Sequence, residues 1–421
     1  MDGLQRLQAT DFAYNFPGLA AASRRLAQIL PSVTGNGAST TRARIFVMVK
    51  KPEAAPLREI WHARCPVPTP LSVAIQLGWV ERALREEAGI ELKSSPESGD
   101  PTHLQHYYES SLPNSFRHGG SVPAIHARAA GLDTRVIGLS WTNEYQAIIS
   151  LPRTGLTHVQ QLRGRRIGIP LHDTPIDHSR AAAVRAFSAM LAVEGLSFRD
   201  VECVDLPDDQ VPAVTCNGAV IATGNGRRGR SQYTSEVRAL ARGEVDAVYV
   251  KDANGAQVTH LLGAIVIGNI GSHPDPWVRI NNCTPRPLTV SQFLLDNHPD
   301  IVRSLLTQVV AAADWARAHQ ARTITMVARE TGWSESWVRY AYGDDVHKNL
   351  QVGLSPAWID GLNTFKGFLA EQGFLSANFA IGDWIDPAPL QDVLARQRSR
   401  ATPGARTRVR AVTTSTPSNL H

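Results

Sequence analysis

The chain has 421 residues, 43% hydrophobic and 19% charged, enough apolar sequence for one large or two medium domains with cores of their own. No window holds 18 apolar residues, so no membrane-spanning helix is expected; the four cysteines, Cys65, Cys203, Cys216 and Cys283, form no CxxC pair and suggest neither a disulfide framework nor a zinc site, which fits a reducing, cytoplasmic setting. The formal charge is +5, but Arg396, Arg398, Arg400, Arg406, Arg408 and Arg410 sit together in a Ser/Thr/Pro/Gly/Ala-rich tail, a solvated segment rather than grounds for a nucleic-acid function.

Residues 1–50 set Asp2 and Asp11, their only acids, against Arg6, Arg24, Arg25, Arg42, Arg44 and Lys50. No compact apolar stretch follows the positive charge as a secretory signal requires. This segment is expected to be a disordered extension, or sequence ahead of a true start at Met48, and is kept out of the fold. REIWHAR (58–64) predicts a strand and LSVAIQLGWVERALREEA (71–88) a single helix stopped by Gly89; IELKSS returns to strand, giving a βαβ unit. Residues 101–120 are polar and aromatic and are expected to be loop with some short helix. VPAIHARAAG predicts a helix and TRVIGLSW a strand. THVQQLRG (157–164) is a capped turn, RRIGIPL a strand that Pro170 helps to end, and DHSRAAAVRAFSAMLAVEG a helix with Gly195 as its stop. VECVDL, GEVDAVYV and GAIVIGNI predict strands, TSEVRALAR (234–242) a short helix, and the chain from 291 onward is mainly helical.

The layout is α/β first and helical last. It matches two α/β lobes with a cleft between them: 51–145 opening lobe 1, 146–255 forming lobe 2, 256–391 returning to lobe 1 with a helical C-terminal part, and 392–421 a disordered basic tail.

Cys65 stands between a predicted strand and a predicted helix. Backbone N–H groups at a helix start favour an anion and so a reactive thiolate, although Pro66, Pro68 and Pro70 remove donors there. The plainer reading is a small buried hydrophobe. In the polar segment, His106 suits orienting or deprotonating a cysteine, with His103 and His118 as rivals, and Arg117 suits a bidentate grip on an oxyacid. Gly119 and Gly120 allow close backbone approach to a ligand. A surface arginine, a surface histidine and an ordinary turn are the corresponding bland readings. LRGRRIGIP lacks the glycine spacing of a phosphate loop, and GNGRRGR (224–230) reads as a mobile loop. His172, Asp173 and His178 lack a third and fourth metal ligand of clear identity. Cys203 reads as core. Trp141, Tyr145 and Tyr249 stand at or just after strand ends, where a cleft would be lined.

CPVPTPLSVAIQLGWVERALREEAGIEL and HYYESSLPNSFRHGGSVPAI resemble two blocks of the 2'-hydroxybiphenyl-2-sulfinate desulfinases of the dibenzothiophene desulfurisation pathway; TRVIGLS, LRGRRIGI and GEVDAVY resemble later ones. The similarity runs from about 58 to about 390. It implies a periplasmic-binding-protein-like (type II) pair of α/β lobes and a cytoplasmic enzyme, expected here as a monomer, that uses no cofactor or metal and takes a small aromatic sulfinate, with no nucleic-acid or membrane partner. It makes Cys65 the essential cysteine, His106 its histidine partner, Arg117 the sulfinate-binding arginine and Gly120, beside Gly119, the backbone donor near the substrate oxygens. Ala63 stands where the family has a serine, and Phe187 takes the place of the tryptophan of the aromatic pocket. The implied reaction is aryl sulfinate plus water to arene plus sulfite, with Cys65 either attacking sulfur as thiolate or protonating the ring carbon as thiol. The alternatives are a solute-binding protein for an aromatic sulfonate, another cofactor-free enzyme on this scaffold such as a pyrimidine-precursor synthase, whose cysteine-rich iron-associated motif is missing here, and a nucleic-acid binder resting on the arginine tail.

Overall fold

The computed structural model describes residues 57–95, 111–174, 176–208, 214–216, 219–222 and 233–401. The N-terminal extension to residue 56, His103, His106, the GNGRRGR segment and residues 402–421 of the basic tail lie outside the described residues.

Two five-stranded sheets organise the chain. The first has the order β2-β1-β3-β12-β4, with β1 at Glu59–Arg64, β2 at Glu91–Ser94, β3 at Ser115–His118, β4 at Thr134–Ser140 and β12 at Arg286–Ser291. β1 runs parallel to both β2 and β3, whereas β12 is antiparallel to β3 and β4. The second has the order β11-β5-β10-β6-β7, with β5 at Gln146–Ser150, β6 at Arg166–Leu171, β7 at Glu202–Pro207, β10 at Ala247–Lys251 and β11 at Ile265–Asn269. A small hairpin pairs β8 (Val214–Cys216) with β9 (Ala219–Ala222). The chain leaves the first sheet after β4, builds the second, and crosses back between β11 and β12.

Helices cover both sheets: α1 (Pro70–Gln76), α2 (Trp79–Ala88), α3 (Ser121–Ala129), α4 (His178–Val193), α5 (Thr234–Arg242), α6 (Asp252–Leu261), α7 (Pro299–Ala318), α8 (Gln320–Thr331), α9 (Glu335–Tyr342), α10 (Pro356–Glu371) and α11 (Ala388–Ala401). One apolar core joins Leu71, Val80 and Leu84 with Phe116, Leu288, Leu305 and Val309 under the first sheet; another joins Ile167, Ile169 and Phe187 with Phe365 and Trp384. No helix of the described residues is long and apolar enough to cross a membrane.

Three expectations are corrected. The helix over 71–88 is two helices, because Gly78 takes a left-handed conformation at φ +70° and caps α2; the apolar pattern runs across the break since both halves bury into one core. Within 101–120, Ser115–His118 is a strand in the middle of the first sheet, its Phe116 fully buried. The RRIGIPL strand ends where expected, at Leu171, one residue past Pro170; the pairing of β6 with β10 is confined to Ile167 and Gly168, so at Pro170 the strand has a neighbour only on its β7 side, the edge-like setting that tolerates proline. The basic tail starts later than residue 392: α11 runs to Ala401 because Leu390 and Val393 bury, three residues apart on one helix face, while Asp392 pairs with Arg303 of α7 and Arg396 of its own helix.

Candidate active site

Because β1 and β3 are adjacent and parallel, with Ala63 opposite Arg117 and Arg64 opposite His118, both strands deliver their C-terminal ends to the same edge of the sheet. That edge is where open α/β sheets bind ligands. The Cys65 amide donates to the His118 carbonyl at 3.3 Å, which carries the pairing one residue past β1. Strand alternation then puts Ala63, Cys65, Arg117 and Gly119 on one face. Arg117, 2% exposed, donates from Nη2 to Cys65 Sγ at 3.3 Å and from Nη1 to the Gly120 carbonyl at 2.8 Å. Its Nε is buried without a hydrogen-bond partner among the described residues. A Cβ at Gly119 would stand 2.3 Å from Cys65 Sγ, so only glycine lets β3 pass the sulfur this closely. Asn282 fixes the turn into α3: its carbonyl accepts from the Ser121 amide at 2.5 Å, and its Oδ1 accepts from the Val122 amide at 2.8 Å.

The expected source of anion stabilisation changes. Cys65 is half-buried but does not cap a helix; α1 begins at Pro70 behind Thr69, whose Oγ1 accepts from the Ser72 amide at 3.1 Å. The positive partner of the sulfur is the Arg117 side chain. His118, a rival for the histidine role, points to the opposite face of β3, is fully buried and meets the Ser140 hydroxyl at 3.0 Å. Burial, with Arg286 and Arg117 nearby, lowers its pKa to about 3, so it is neutral and stands away from Cys65. The structure thus brings Cys65, Arg117, Gly119 and Gly120 together. His106 lies outside the described residues. Phe187 is fully buried in the core on α4.

Sequence reading did not find the charged cluster beside this group. Glu144, 3% exposed, accepts from Lys251 Nζ at 3.1 Å on one oxygen and from Arg286 Nη2 at 2.8 Å on the other. Lys251 Nζ also lies 3.3 Å from Cys283 Sγ. Burial pushes the Cys283 thiol up, against the pull of Lys251, and Cys283 is close enough to Cys65 to feel its charge. Burial likewise raises Asp252 to about 6. Lys251 and Tyr249 at the end of β10, Glu236 of α5 and His178 and Ser179 at the start of α4 line a small pocket. Tyr249, expected at a cleft, is there, whereas Tyr145 is buried with its hydroxyl 2.9 Å from that of Thr259. Glu236 is 2% exposed, and burial raises its carboxyl to about 7. The available signal was positional: Glu144 and Lys251 are charges placed directly at the ends of buried strands. Cys283 has no local pattern. Among the described residues no group of three or more His, Cys, Asp or Glu side chains is placed to hold a metal. Cys65, Cys203 and Cys283 are free thiols, and burial pushes Cys203 up to about 11.

The family model described as NMT1/THI5 like matches residues 66–323. The 2'-hydroxybiphenyl-2-sulfinate desulfinase of Rhodococcus erythropolis is 27% identical over 368 residues, which cover 80% of this chain and 94% of that protein; the desulfinase of Rhodococcus qingshengii matches equally. Among solved structures, a mutant of the desulfurization enzyme DszB in complex with biphenyl-2-sulfinic acid aligns with a TM-score of 0.64 at 23% identity, over 80% of this chain and 99% of that one. A periplasmic sulfonate-binding protein, SsuA, from Methylobacillus flagellatus KT aligns with a TM-score of 0.59 at 16% identity, over 84% and 99%. At these identities the structural likenesses establish the fold, that of the periplasmic binding proteins.

Proposed function

The chain belongs to the NMT1/THI5-like family, and from that premise we propose that it is an aryl sulfinate desulfinase, hydrolysing an aromatic C–S bond and releasing sulfite. The reaction, ArSO2⁻ + H2O → ArH + HSO3⁻, balances in atoms and electrons with water alone, so it calls for no redox cofactor. The observation that carries the reading is the Cys65–Arg117 contact, a buried guanidinium N–H aimed at a half-buried sulfur on the ligand-binding edge of the sheet.

That contact favours an anionic sulfur and hence Cys65 as nucleophile over Cys65 as proton donor. The Cys65 thiolate attacks the sulfinate sulfur as the C–S bond breaks and the ring carbon takes a proton, leaving Cys65 bonded to an SO2⁻ group. Water then adds its oxygen to that sulfur, releasing HSO3⁻ and returning the thiol. Arg117, which spends one N–H on Gly120 and one on Cys65, keeps Nε and two further N–H groups for the sulfinate oxygens. His106 is assigned the proton transfer and Gly120 backbone donation to the substrate. The relatives' substrate, 2'-hydroxybiphenyl-2-sulfinate, an intermediate of dibenzothiophene breakdown, is the first compound to try. A reduced Cys65 suits the cytoplasm, and the protein is proposed to act there as a monomer without nucleic-acid or membrane partners.

The test is sulfite release from 2'-hydroxybiphenyl-2-sulfinate by wild type, Cys65→Ser and Arg117→Ala. Sulfite from wild type, none from C65S and a KM raised by at least about tenfold in R117A are expected, since a charge-assisted bidentate contact is lost. Full turnover by C65S would remove Cys65 from the mechanism. Tight binding of aryl sulfinates or sulfonates by wild type without any sulfite would make this a solute-binding protein instead.

A further inference from the structure

We infer that Asn282 is a further binding residue for the sulfinate, its Nδ2 group donating to a sulfinate oxygen beside the Gly120 amide and the Arg117 guanidinium; this rests on the desulfinase reading and adds a donor to the same site. Asn282 is 4% exposed. Its Oδ1 accepts from the Val122 amide at 2.8 Å. Only the oxygen can meet a backbone N–H, so the side-chain amide has one orientation and Nδ2 is the end left over. Nδ2 has no hydrogen-bond partner among the described residues. Buried amide nitrogens are nearly always satisfied, and this one is not sealed in: the little surface that Asn282 keeps includes it. A polar group of a ligand can therefore reach it.

The place of Nδ2 decides which ligand group it would meet. A Cβ at Gly120 would stand 2.8 Å from Asn282 Oδ1 and 3.1 Å from Nδ2, so the side-chain amide packs directly on that glycine. Arg117 Nη1 is bonded to the carbonyl of the same Gly120, and the preceding Gly119 is the residue packed on Cys65 Sγ. The amide is also held from both sheets. Its carbonyl accepts from Ser121 Oγ at 2.9 Å on the first-sheet side. Its backbone N–H donates to Asn281 Oδ1 at 2.8 Å, and Asn281 Nδ2 reaches Gln146 Oε1 of β5 at 3.0 Å and the Ala182 carbonyl of α4 at 3.1 Å. A donor fixed in this way need not reorganise when an anion arrives, which is what makes an oxyanion donor effective. The Val122 amide at the start of α3 polarises the group through Oδ1 and strengthens Nδ2 as a donor.

The test is calorimetric binding to Cys65→Ser protein with and without Asn282→Asp, using biphenyl-2-sulfinate and, as a ligand lacking the sulfinate group, 2-hydroxybiphenyl. Aspartate keeps an acceptor for the Val122 amide, and Asn and Asp serve helix starts about equally well, so the turn stays held while the donor is replaced by an anion. Sulfinate binding should weaken at least about tenfold, the value of a hydrogen bond to a charged group, and 2-hydroxybiphenyl should stay within about twofold. Should N282D fail to fold, Asn282→Ala is read against the same two ligands, with the loss again confined to the sulfinate. Sulfinate binding within about twofold of the parent, an equal loss for both ligands as a purely structural role would give, or no sulfinate binding by the parent would overturn the assignment. Sulfite release by wild type is scored separately. A sulfinate-specific loss in N282D without wild-type sulfite keeps Asn282 as an anion donor and discards the desulfinase; wild-type sulfite with unaltered N282D binding does the reverse.

Discussion

Replacing Gly119 by alanine should cost far more activity than stability. The new Cβ would lie 2.3 Å from Cys65 Sγ, 3.0 Å from its Cβ and 3.3 Å from its amide nitrogen. Ordinary contacts are about 3.5–4.0 Å, so the sulfur must retreat by roughly 1.2 Å or more. The strand cannot easily yield instead, because the Cys65 amide is bonded to the His118 carbonyl. The sulfur is the far end of a one-torsion side chain and can turn away, which holds the stability loss to the lower part of the about 1–3 kcal/mol expected of overpacking. Turning away, however, breaks the 3.3 Å contact with Arg117 and re-aims the nucleophile. A displacement of about 1 Å at the reacting atom is worth on the order of a hundredfold in rate. The assay is kcat/KM for sulfite release, with iodoacetamide labelling of Cys65 and urea unfolding measured alongside. Gly78→Ala is the control: at φ +70° with nothing within 4 Å, it should lose about 1 kcal/mol of stability and leave the rate unchanged. A G119A rate within about threefold of wild type, with unaltered labelling, would refute the claim that this packing aims the sulfur.

Glu144→Gln should destabilise the fold by about 3–5 kcal/mol in urea, because it strips the shared carboxylate from Lys251 and Arg286 and leaves two buried cations; a loss below about 1 kcal/mol would mean that the cluster is solvated. His62 and His118 both have folded pKa values of about 3 against 6.5 unfolded, mainly through burial. Their lowered values make stability complete above 6.5 and lost as pH falls from 6.5 towards 3, by up to about 1.4 kcal/mol per pH unit for each. Glu236 and Asp252, raised by burial, act in the opposite direction, gaining stability as pH falls through about 7 and 6. His118→Asn should therefore flatten the acid limb of a stability-versus-pH curve relative to wild type; an identical slope would show that His118 titrates normally in the folded protein.

Cys65, Arg117 and the glycine pair could be named from the sequence because strand β3 is short and its polar residues are closely spaced. A cysteine 52 positions earlier could be joined to them only through the resemblance, and the reason for the closeness, parallel pairing of β1 with β3, is tertiary. The local reading also assigned the sulfur's stabilisation to the wrong partner. Helix-start amides are a feature visible in sequence, whereas a guanidinium reaching across from the next strand is not. Phe187, which the resemblance gives the tryptophan's place in the aromatic pocket, is fully buried on α4 among apolar residues.

By itself the sequence determined the alternation of strands and helices, since apolar periodicity and glycine stops act within a few residues of one another. It marked helices in VPAIHARAAG, DHSRAAAVRAFSAMLAVEG and TSEVRALAR and strands in REIWHAR, TRVIGLSW and GEVDAVYV for that reason, and the structure has helices at Ser121–Ala129, His178–Val193 and Thr234–Arg242 and strands at Glu59–Arg64, Thr134–Ser140 and Ala247–Lys251. What only the tertiary structure decided is which chain ends meet. β12 is inserted between β3 and β4 from nearly 150 residues away in the chain, bringing Arg286 down onto Glu144. Lys251 shares a small pocket with Glu236 and meets Cys283, which in turn lies near Cys65, although no two of the four are within ten residues of each other in sequence. The physical reason is that burial and charge pairing act through space: a carboxylate such as Glu236 becomes unusual only when the fold removes water from around it.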